Sequence, residues 1–395
     1  FGFVNGGAAK VAITSACELA RRKLNVIFFT AVGPIDKSLI VSGVRVTCLK
    51  QYDILSNPSR IDAVKQGLWN NSAEKELESL LSNYSSSETI IHMHGITKAL
   101  SASVLKVTSK TDFPILWTMH DYFSFCPNGG MFNYKKLQIC DKVAMSFDCI
   151  SCNCDVRSYP QKIWRIWRQH YLNKWVRKNK NISFITISQL NKKVAYPYLN
   201  HIARKWYFLQ NPISLAANQQ IADVAHNNKY LFIGRLSKEK GLNLFCQAMT
   251  DLNLHGLVLG DGYLMTEYKE KYPNIEFAGW VSGEKKNKLI IQGKALLFPS
   301  LWYEGAPLTI LEMKSYGIPC IVPDTCAASE EVEDNKTGFI FKSGDLKSFK
   351  EAILKYENCN KEVLQKNILD SFNPNAYSIE THVNNLLKIY EDSLK

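Results

Sequence analysis

Short apolar runs and amphipathic stretches alternate along the whole chain. Residues 26–30, 44–49, 89–93, 115–119 and 183–187 read as strands, each a short apolar-rich run bounded by polar or turn-forming residues. Helical patterns lie between them, at 12–22 and, most regularly, at 71–84. The second half repeats the alternation, with strands at 230–234, 257–259, 275–280 and 295–298 and a last helical pattern at 378–393. Such alternation predicts an α/β protein whose parallel sheets carry helices on both faces. Residues 214–229, polar and rich in Ala and Asn, read as a linker between the halves.

The most informative stretch is 297–319, LFPSLWYEGAPLTILEMKSYGIP. The run 295–298 ends abruptly at Pro299. After the loop SLWYEG, Pro307 stands where a helix begins, and its missing N–H is harmless there. The next amides, on Leu308 and Thr309, are free to meet an anion. Glu304 flanks this helix start, and Glu312 follows about 7 Å along the axis at ~1.5 Å per residue. Each carboxylate can accept charge-assisted hydrogen bonds from the paired hydroxyls of a sugar or ribose. Taken singly, each glutamate is equally an ordinary surface acid.

Upstream, the strand 230–234 runs into Gly234-Arg235-Leu-Ser-Lys-Glu-Lys240-Gly241. A guanidinium and an ammonium five residues apart can clamp a diphosphate from two directions. The strand 257–259 ends in Gly260-Asp261-Gly262, which lacks the third glycine and the distant acid of a dinucleotide fingerprint, so that reading is rejected. Near the start, Gly6 and Gly7 precede a helical pattern, where backbone amides can approach a phosphate closely or simply turn. His94 and His120-Asp121 follow the ends of two predicted strands, the position where parallel sheets bind ligands.

P-S-x-x-x-E-G-x-P-x-x-x-x-E-M followed by Gly317-Ile318-Pro319, with G-R-x-x-x-x-K-G upstream, closely resembles the donor-binding signature of family-four glycosyltransferases. The resemblance implies the GT-B architecture: two Rossmann-like, doubly wound parallel-sheet domains facing across a cleft. It covers about residues 6–395 and is densest over 234–338. It implies an acceptor-side domain at 1–213, a nucleotide-sugar domain at 214–377 and a C-terminal helix at 378–395 returning to the first. It further implies a retaining, metal-independent transfer from a nucleotide diphosphate-sugar, with UDP and GDP both open. Arg235, Lys240 and the amides of Leu308 and Thr309 would stabilise the leaving diphosphate, Glu304 would hold sugar hydroxyls, and Glu312 the ribose. Gly6, Gly7, Gly234, Gly262, Val281 and Gly305 would line the donor, Val281 bordering the base. T-M-H-D-Y resembles the family's acceptor-side segment, which favours His120 over His94 and places Asp121 beside it.

Charge and cysteine content add to this. The net charge of +12 is uneven: residues 1–213 hold 28 basic and 13 acidic residues, the remainder 20 and 23. Residues 156–213 hold 12 basic residues and no acid. Within them 161–178, QKIWRIWRQHYLNKWVRK, has Trp164, Trp167, Tyr171 and Trp175 at helical spacing with Lys162, Arg165 and Arg168 between. This is a basic amphipathic helix, either packed on a core with a solvated back or laid on an anionic membrane. No apolar run approaches the ~20 residues that cross a bilayer, and the chain opens inside what reads as a loop, so an upstream strand is expected.

Eleven cysteines, an odd and scattered count, point to a reduced, cytoplasmic setting. Cys126, Cys140, Cys149, Cys152 and Cys154 fall in an insert at 126–154 that fits a structural zinc or, equally, reduced buried thiols. The expected function is therefore sugar transfer to a saccharide, carried on a membrane-embedded lipid diphosphate, at the inner face of the cytoplasmic membrane during surface-polysaccharide assembly. No nucleic-acid partner is expected. Two other classes remain open: a glycoside hydrolase using Glu304 and Glu312, which leaves Arg235 and Lys240 unused, and a basic zinc-containing nucleic-acid binder, which leaves both glutamates unused.

Overall fold

The structure, a computed structural model, describes residues 1–214 and 220–395. Residues 215–219 of the expected linker lie outside that description. The chain packs as two units. The first comprises residues 1–130, 142–212 and 376–395, the second residues 131–141 and 213–375.

In the first unit, strands β1 (Ile27–Thr30) and β2 (Arg45–Cys48) form a parallel pair. Strands β3 (Ile91–Met93) and β4 (Ile115–Thr118) belong to a separate four-stranded parallel sheet, which two later strands complete. A short antiparallel hairpin, β5 (Phe132–Asn133) and β6 (Gln138–Ile139), comes next in the chain but packs in the second unit. The completing strands are β7 (Ile182–Thr186) and β8 (Trp206–Phe208), in the order β3-β4-β7-β8. Every residue of β4 and β7 is buried, as strands covered on both faces require.

The C-terminal helix, Ile379–Leu394, is part of this unit. Its Val383, Leu386 and Ile389 close a core with Leu19, Leu116, Ile185 and Leu209. Polar ties flank that core: Arg22 Nη1 donates to Asn384 Oδ1 at 2.5 Å, and Lys205 pairs with Asp392 at 2.8 Å.

Besides the hairpin, the second unit is built on a six-stranded, wholly parallel sheet. Its strands are β9 (Lys229–Ile233), β10 (His255–Leu259), β11 (Glu276–Gly279), β12 (Gly293–Leu297), β13 (Cys320–Pro323) and β14 (Gly338–Phe341). They are ordered β11-β10-β9-β12-β13-β14. The strand order therefore reverses between β9 and β12, and ligands bind at such a switch point outside the carboxyl ends of the strands.

Alternate residues of each strand enter opposite cores. Tyr230, Phe232, Ala295 and Leu297 pack with Phe245, Phe349 and Tyr356 on one face. Leu231, Leu296, Cys320 and Val322 pack with Ile290, Ile310 and Met313 on the other.

Two expectations change here. The insert 126–154, assigned whole to the N-terminal domain, is divided, because the β5–β6 hairpin gives residues 131–141 to the second unit. The helix read at 161–178 spans Tyr159–Val176, with Pro160 in its first turn.

Candidate functional site

Strands β9 and β12 are neighbours in register, Leu231 opposite Leu296, so the loops after them emerge side by side. They are joined at the backbone: Leu301 N–H donates to Glu239 O at 2.9 Å. The approach is so close that a Cβ on Gly241 would lie 1.8 Å from the carbonyl oxygen of Pro299, and Gly241 has φ 74°. Only glycine satisfies both conditions. Gly260 is a similar case, its added Cβ falling 1.9 Å from Gly234 O. The G-D-G turn is thus a packing device against the Gly234 loop, and Gly262 N–H is taken by Asp261 Oδ1 at 2.7 Å.

Lys240 and Glu304 meet where the loops join, with Nζ and Oε1 2.5 Å apart. Ser300 Oγ, at 3.0 Å, and Trp302 Nε1, at 2.7 Å, donate to that same oxygen. The Lys240 ammonium also sits 5.5 Å from the centre of the Trp302 ring. Burial pushes the Glu304 carboxyl up, but the adjacent Lys240 charge and the hydrogen bonds from Lys240, Trp302 and Ser300 outweigh it and hold the group below its ordinary range. Glu304 is therefore a fixed, ionised carboxylate at neutral pH.

Arg235, whose side chain is 61 % exposed, is anchored by Glu239 Oε1 at 2.7 Å. Glu239 is itself buried and also accepts from Ser237 Oγ at 2.7 Å. One cation is thus presented to solvent on a buried acid while the other is held against Glu304.

Glu312 lies on the helix Leu308–Ser315, and both its oxygens accept from Lys286 Nζ, at 2.6 and 2.7 Å. No side chain caps that helix, so the start of it carries the Leu308 and Thr309 amides bare of side-chain acceptors. Gly305 follows Glu304 in the same loop, half-buried, and Val281, also half-buried, packs against the core that holds Leu296 and Ile310.

The sequence reading passed over Ser237, Glu239, Lys286, Ser300 and Trp302. Ser300 and Trp302 stand inside the P-S-x-x-x-E motif, and Glu239 inside G-R-x-x-x-x-K-G, where spacing alone offered a signal. Lys286, 26 residues from Glu312, had none.

In the first unit, His94 Nδ1 and His120 Nε2 share a hydrogen bond at 2.9 Å, their rings nearly parallel. His92 stacks beside His94 at 4.3 Å and bonds Thr118 Oγ1 and Tyr390 Oη. Protein crowding lowers all three, with neighbouring imidazoles adding to it: His92 to about 3, His120 to about 4, and His94 well below the usual value. They are neutral at pH 7. His94 and His120, the two histidines singled out in the sequence, are thus hydrogen-bonded partners. Asp121 is exposed and accepts from the Phe123 amide at 3.1 Å. Gly6 is the N-cap of the helix Gly7–Arg21, which no side chain caps, and both glycines are exposed.

The thiols do not assemble a zinc site. Among the described residues no three His, Cys, Asp or Glu side chains are placed to hold a metal ion. Cys154 and Cys149 instead face the buried ammonium of Lys162, at 3.0 and 3.6 Å, and a cation in that place repels a dication. Asn128 Nδ2 donates to Cys154 Sγ, while Cys126 donates to Asn128 Oδ1. Cys152 stays with the first unit, whereas Cys140 bonds Met131 on the hairpin of the second.

The helix Tyr159–Val176 also corrects its expectation, because the cations assigned to a membrane face point inward. Lys162 and Arg168 are buried, and Arg168 donates to the carbonyls of Pro127 and Thr97. Arg165 lies 3.1 Å from the fully buried Asp155 carboxylate, at ion-pair distance though not aligned as a hydrogen bond. Trp164 packs on Gly67 and donates to Val64 O, and Trp175 packs on Trp69. Only Trp167 and Tyr171 of the aromatic stripe are exposed. No helix among the described residues is long and apolar enough to cross a membrane.

Residues 217–377 match the family model described as glycosyl transferases group 1. An Escherichia coli UDP-Gal:alpha-D-GlcNAc-diphosphoundecaprenol alpha-1,3-galactosyltransferase is 27% identical over 182 residues, 42% of this chain and 46% of that protein. The lipopolysaccharide 1,6-galactosyltransferase of E. coli K12 is 27% identical over 183 residues, 44% of this chain and 50% of the relative. The matched segments span half or less of these relatives.

Among solved structures, Anabaena HepE in complex with UDP superposes with a TM-score of 0.64 at 14% identity, covering 98% of this chain and 97% of that one. Sucrose-phosphate synthase from Thermosynechococcus elongatus gives 0.68 at 15%, covering 98% and 93%. The fold is GT-B: two Rossmann-like α/β units.

Proposed function

We propose that the protein is a retaining glycosyltransferase that moves a sugar from a nucleotide diphosphate-sugar to a saccharide hydroxyl. The observation that carries this reading is the Lys240–Glu304 pair at the β9/β12 switch point, with Arg235 presented beside it on Glu239. In this reading Arg235 and Lys240 neutralise the charge that develops on the departing diphosphate, helped by the Leu308 and Thr309 amides. Glu304 accepts hydrogen bonds from sugar hydroxyls through Oε2, and Glu312 holds the ribose once Lys286 yields. The acceptor hydroxyl attacks from the leaving-group side, with no carboxylate nucleophile. A glycoside hydrolase would need a carboxyl held protonated as general acid, whereas Glu304 is held ionised.

The E. coli relative is named for an acceptor on diphosphoundecaprenol. By analogy the acceptor here is a saccharide on a lipid diphosphate, met by His94 and His120, with the enzyme peripheral on the inner face of the cytoplasmic membrane. Surface-polysaccharide assembly is the setting that fits such an acceptor. A panel of UDP- and GDP-sugars, scored for hydrolysis with and without a lipid-diphosphate saccharide, tests the proposal. Turnover of one nucleotide-sugar, rising with acceptor, is expected; no turnover of any sugar in a folded sample sinks it.

A further inference from the structure

Glu304 is unusual in how its donors are distributed. Lys240 Nζ, Trp302 Nε1 and Ser300 Oγ all converge on Oε1, at 2.5, 2.7 and 3.0 Å. A carboxylate has about four acceptor positions over two oxygens, so three donors on one oxygen fix its rotation and direct Oε2 away from them. Of the three, the indole is the most demanding, because it has one N–H and one direction in which to donate. The orientation of Glu304 therefore depends on what holds the Trp302 ring.

Two groups hold it. The Lys240 ammonium lies 5.5 Å from the ring centre, and Tyr134 meets the ring edge-on with centroids 6.5 Å apart. Tyr134 comes from the hairpin, more than 160 residues earlier in the chain yet packed in this unit. The hairpin is braced for the task. Phe132 pairs with Ile139 and meets Tyr134 edge-on at 5.2 Å, while Asn133 Oδ1 takes the amides of Lys135 and Lys136 to close the turn. A groove of about 590 Å³, lined by Leu137, Gln138, Ile139, Leu301 and the 342–347 loop, lies between the second hairpin strand and the donor-side loops. The hairpin thus bears on the Glu304 loop through the Tyr134 ring.

We propose that Trp302 is a positioning residue for Glu304, and that the hairpin 131–141 sets the indole through Tyr134. The role assigned to Glu304 rests on the transferase reading above; the mechanical chain from Tyr134 to Trp302 to Glu304 does not.

The test has two readouts. In protein labelled with ¹⁵N-tryptophan, the Trp302 indole signal, identified by its loss in Trp302→Phe, should move on Glu304→Gln and on Tyr134→Ala. Tyr134→Phe, which keeps the ring, should restore most of what Tyr134→Ala loses. An indole signal indifferent to Glu304→Gln overturns the proposal whatever the substrate. For function, UDP-glucose and UDP are the probes. Trp302→Phe should weaken UDP-glucose binding roughly tenfold, leave UDP binding within about twofold, and add under about twofold in a Glu304→Gln background, since residues acting through one another are not additive. Equal losses for UDP and UDP-glucose, or full additivity, would show a merely structural tryptophan. If the unaltered protein binds neither probe, the transferase reading suffers and the indole signal alone decides the positioning chain.

Discussion

The two units handle polar groups at the ends of their strands in opposite ways. In the second, Lys240–Glu304, Arg235–Glu239 and Lys286–Glu312 are charged pairs, each cation met by a carboxylate. In the first, His92, His94 and His120 are neutral, His94 bonded to His120 and His92 to Thr118 and Tyr390. Charged pairs stabilise an anionic leaving group because their cations need only exchange one anion for another. A neutral imidazole pair can take or pass a proton but offers little to a diphosphate. In the proposed reading, leaving-group chemistry falls to the charged unit and acceptor handling to the neutral one.

The largest effect expected from breaking this contrast is on the charged side. Lys240→Ala should lower turnover by roughly 10²-fold or more, as removal of one preorganised donor does elsewhere, and Arg235→Ala by about as much. Near-normal turnover in both variants would leave the clamp without a function.

Next in size is a stability effect in the first unit. Arg165→Ala strands the buried Asp155 charge and should cost about 3 kcal/mol, seen as a lower denaturation midpoint in urea. A midpoint unchanged from that of the unaltered protein would return Arg165 to the surface role that its sequence suggested.

A pH titration sharpens the comparison further. The histidines have folded pKa values below the unfolded ~6.5, so the unfolded chain binds more protons in acid and stability falls as pH drops from about 6.5 towards about 4. Glu304 is depressed in the folded state, so its share is present above the ordinary carboxylate range and is lost only as pH falls through the lower folded value. Denaturant midpoints measured from pH 7 to 4 should fall less steeply in His120→Gln, and a slope unchanged by that substitution would count against a neutral buried pair.

The smallest effect expected is on membranes. If the first unit docks on lipid through the helix Tyr159–Val176, Trp167 and Tyr171 are the exposed members of its aromatic stripe. Their double Ala variant should reduce cosedimentation with anionic vesicles by a few-fold, given about 0.5 kcal/mol for each partly inserted ring. Equal pelleting with and without the substitutions would remove this helix from consideration.

Much of the fold was legible because it is written locally. Strand–helix alternation gave the parallel sheets, and Pro307 marked the start of its helix at Leu308. Arg235, Lys240 and Glu304 could be singled out because each stands in a short motif that follows a predicted strand. The helix Tyr159–Val176 was misread for an instructive reason. The same 3.6-residue period serves a core stripe and a membrane stripe, and the acid-free window began at residue 156, one residue after the Asp155 that pairs with Arg165. The hairpin was illegible because no local pattern says which unit a short β-ribbon will join. Lys286 was illegible because its pairing with Glu312 depends on two helices meeting in space.

The closure of the first unit by the helix Ile379–Leu394 bears on how the chain is made. Residues 213–375 must be synthesised after Pro212 before that helix exists, roughly ten to thirty seconds at about 5–20 residues per second. Through that interval Leu19, Leu116, Ile185 and Leu209 lack the apolar face that finally covers them. The second unit, nearly continuous in sequence, can mature on the ribosome while the first waits. The nascent first half is therefore a natural client for chaperones during translation, and a premature stop just before residue 379 would release a protein with its second unit intact and its first unsealed.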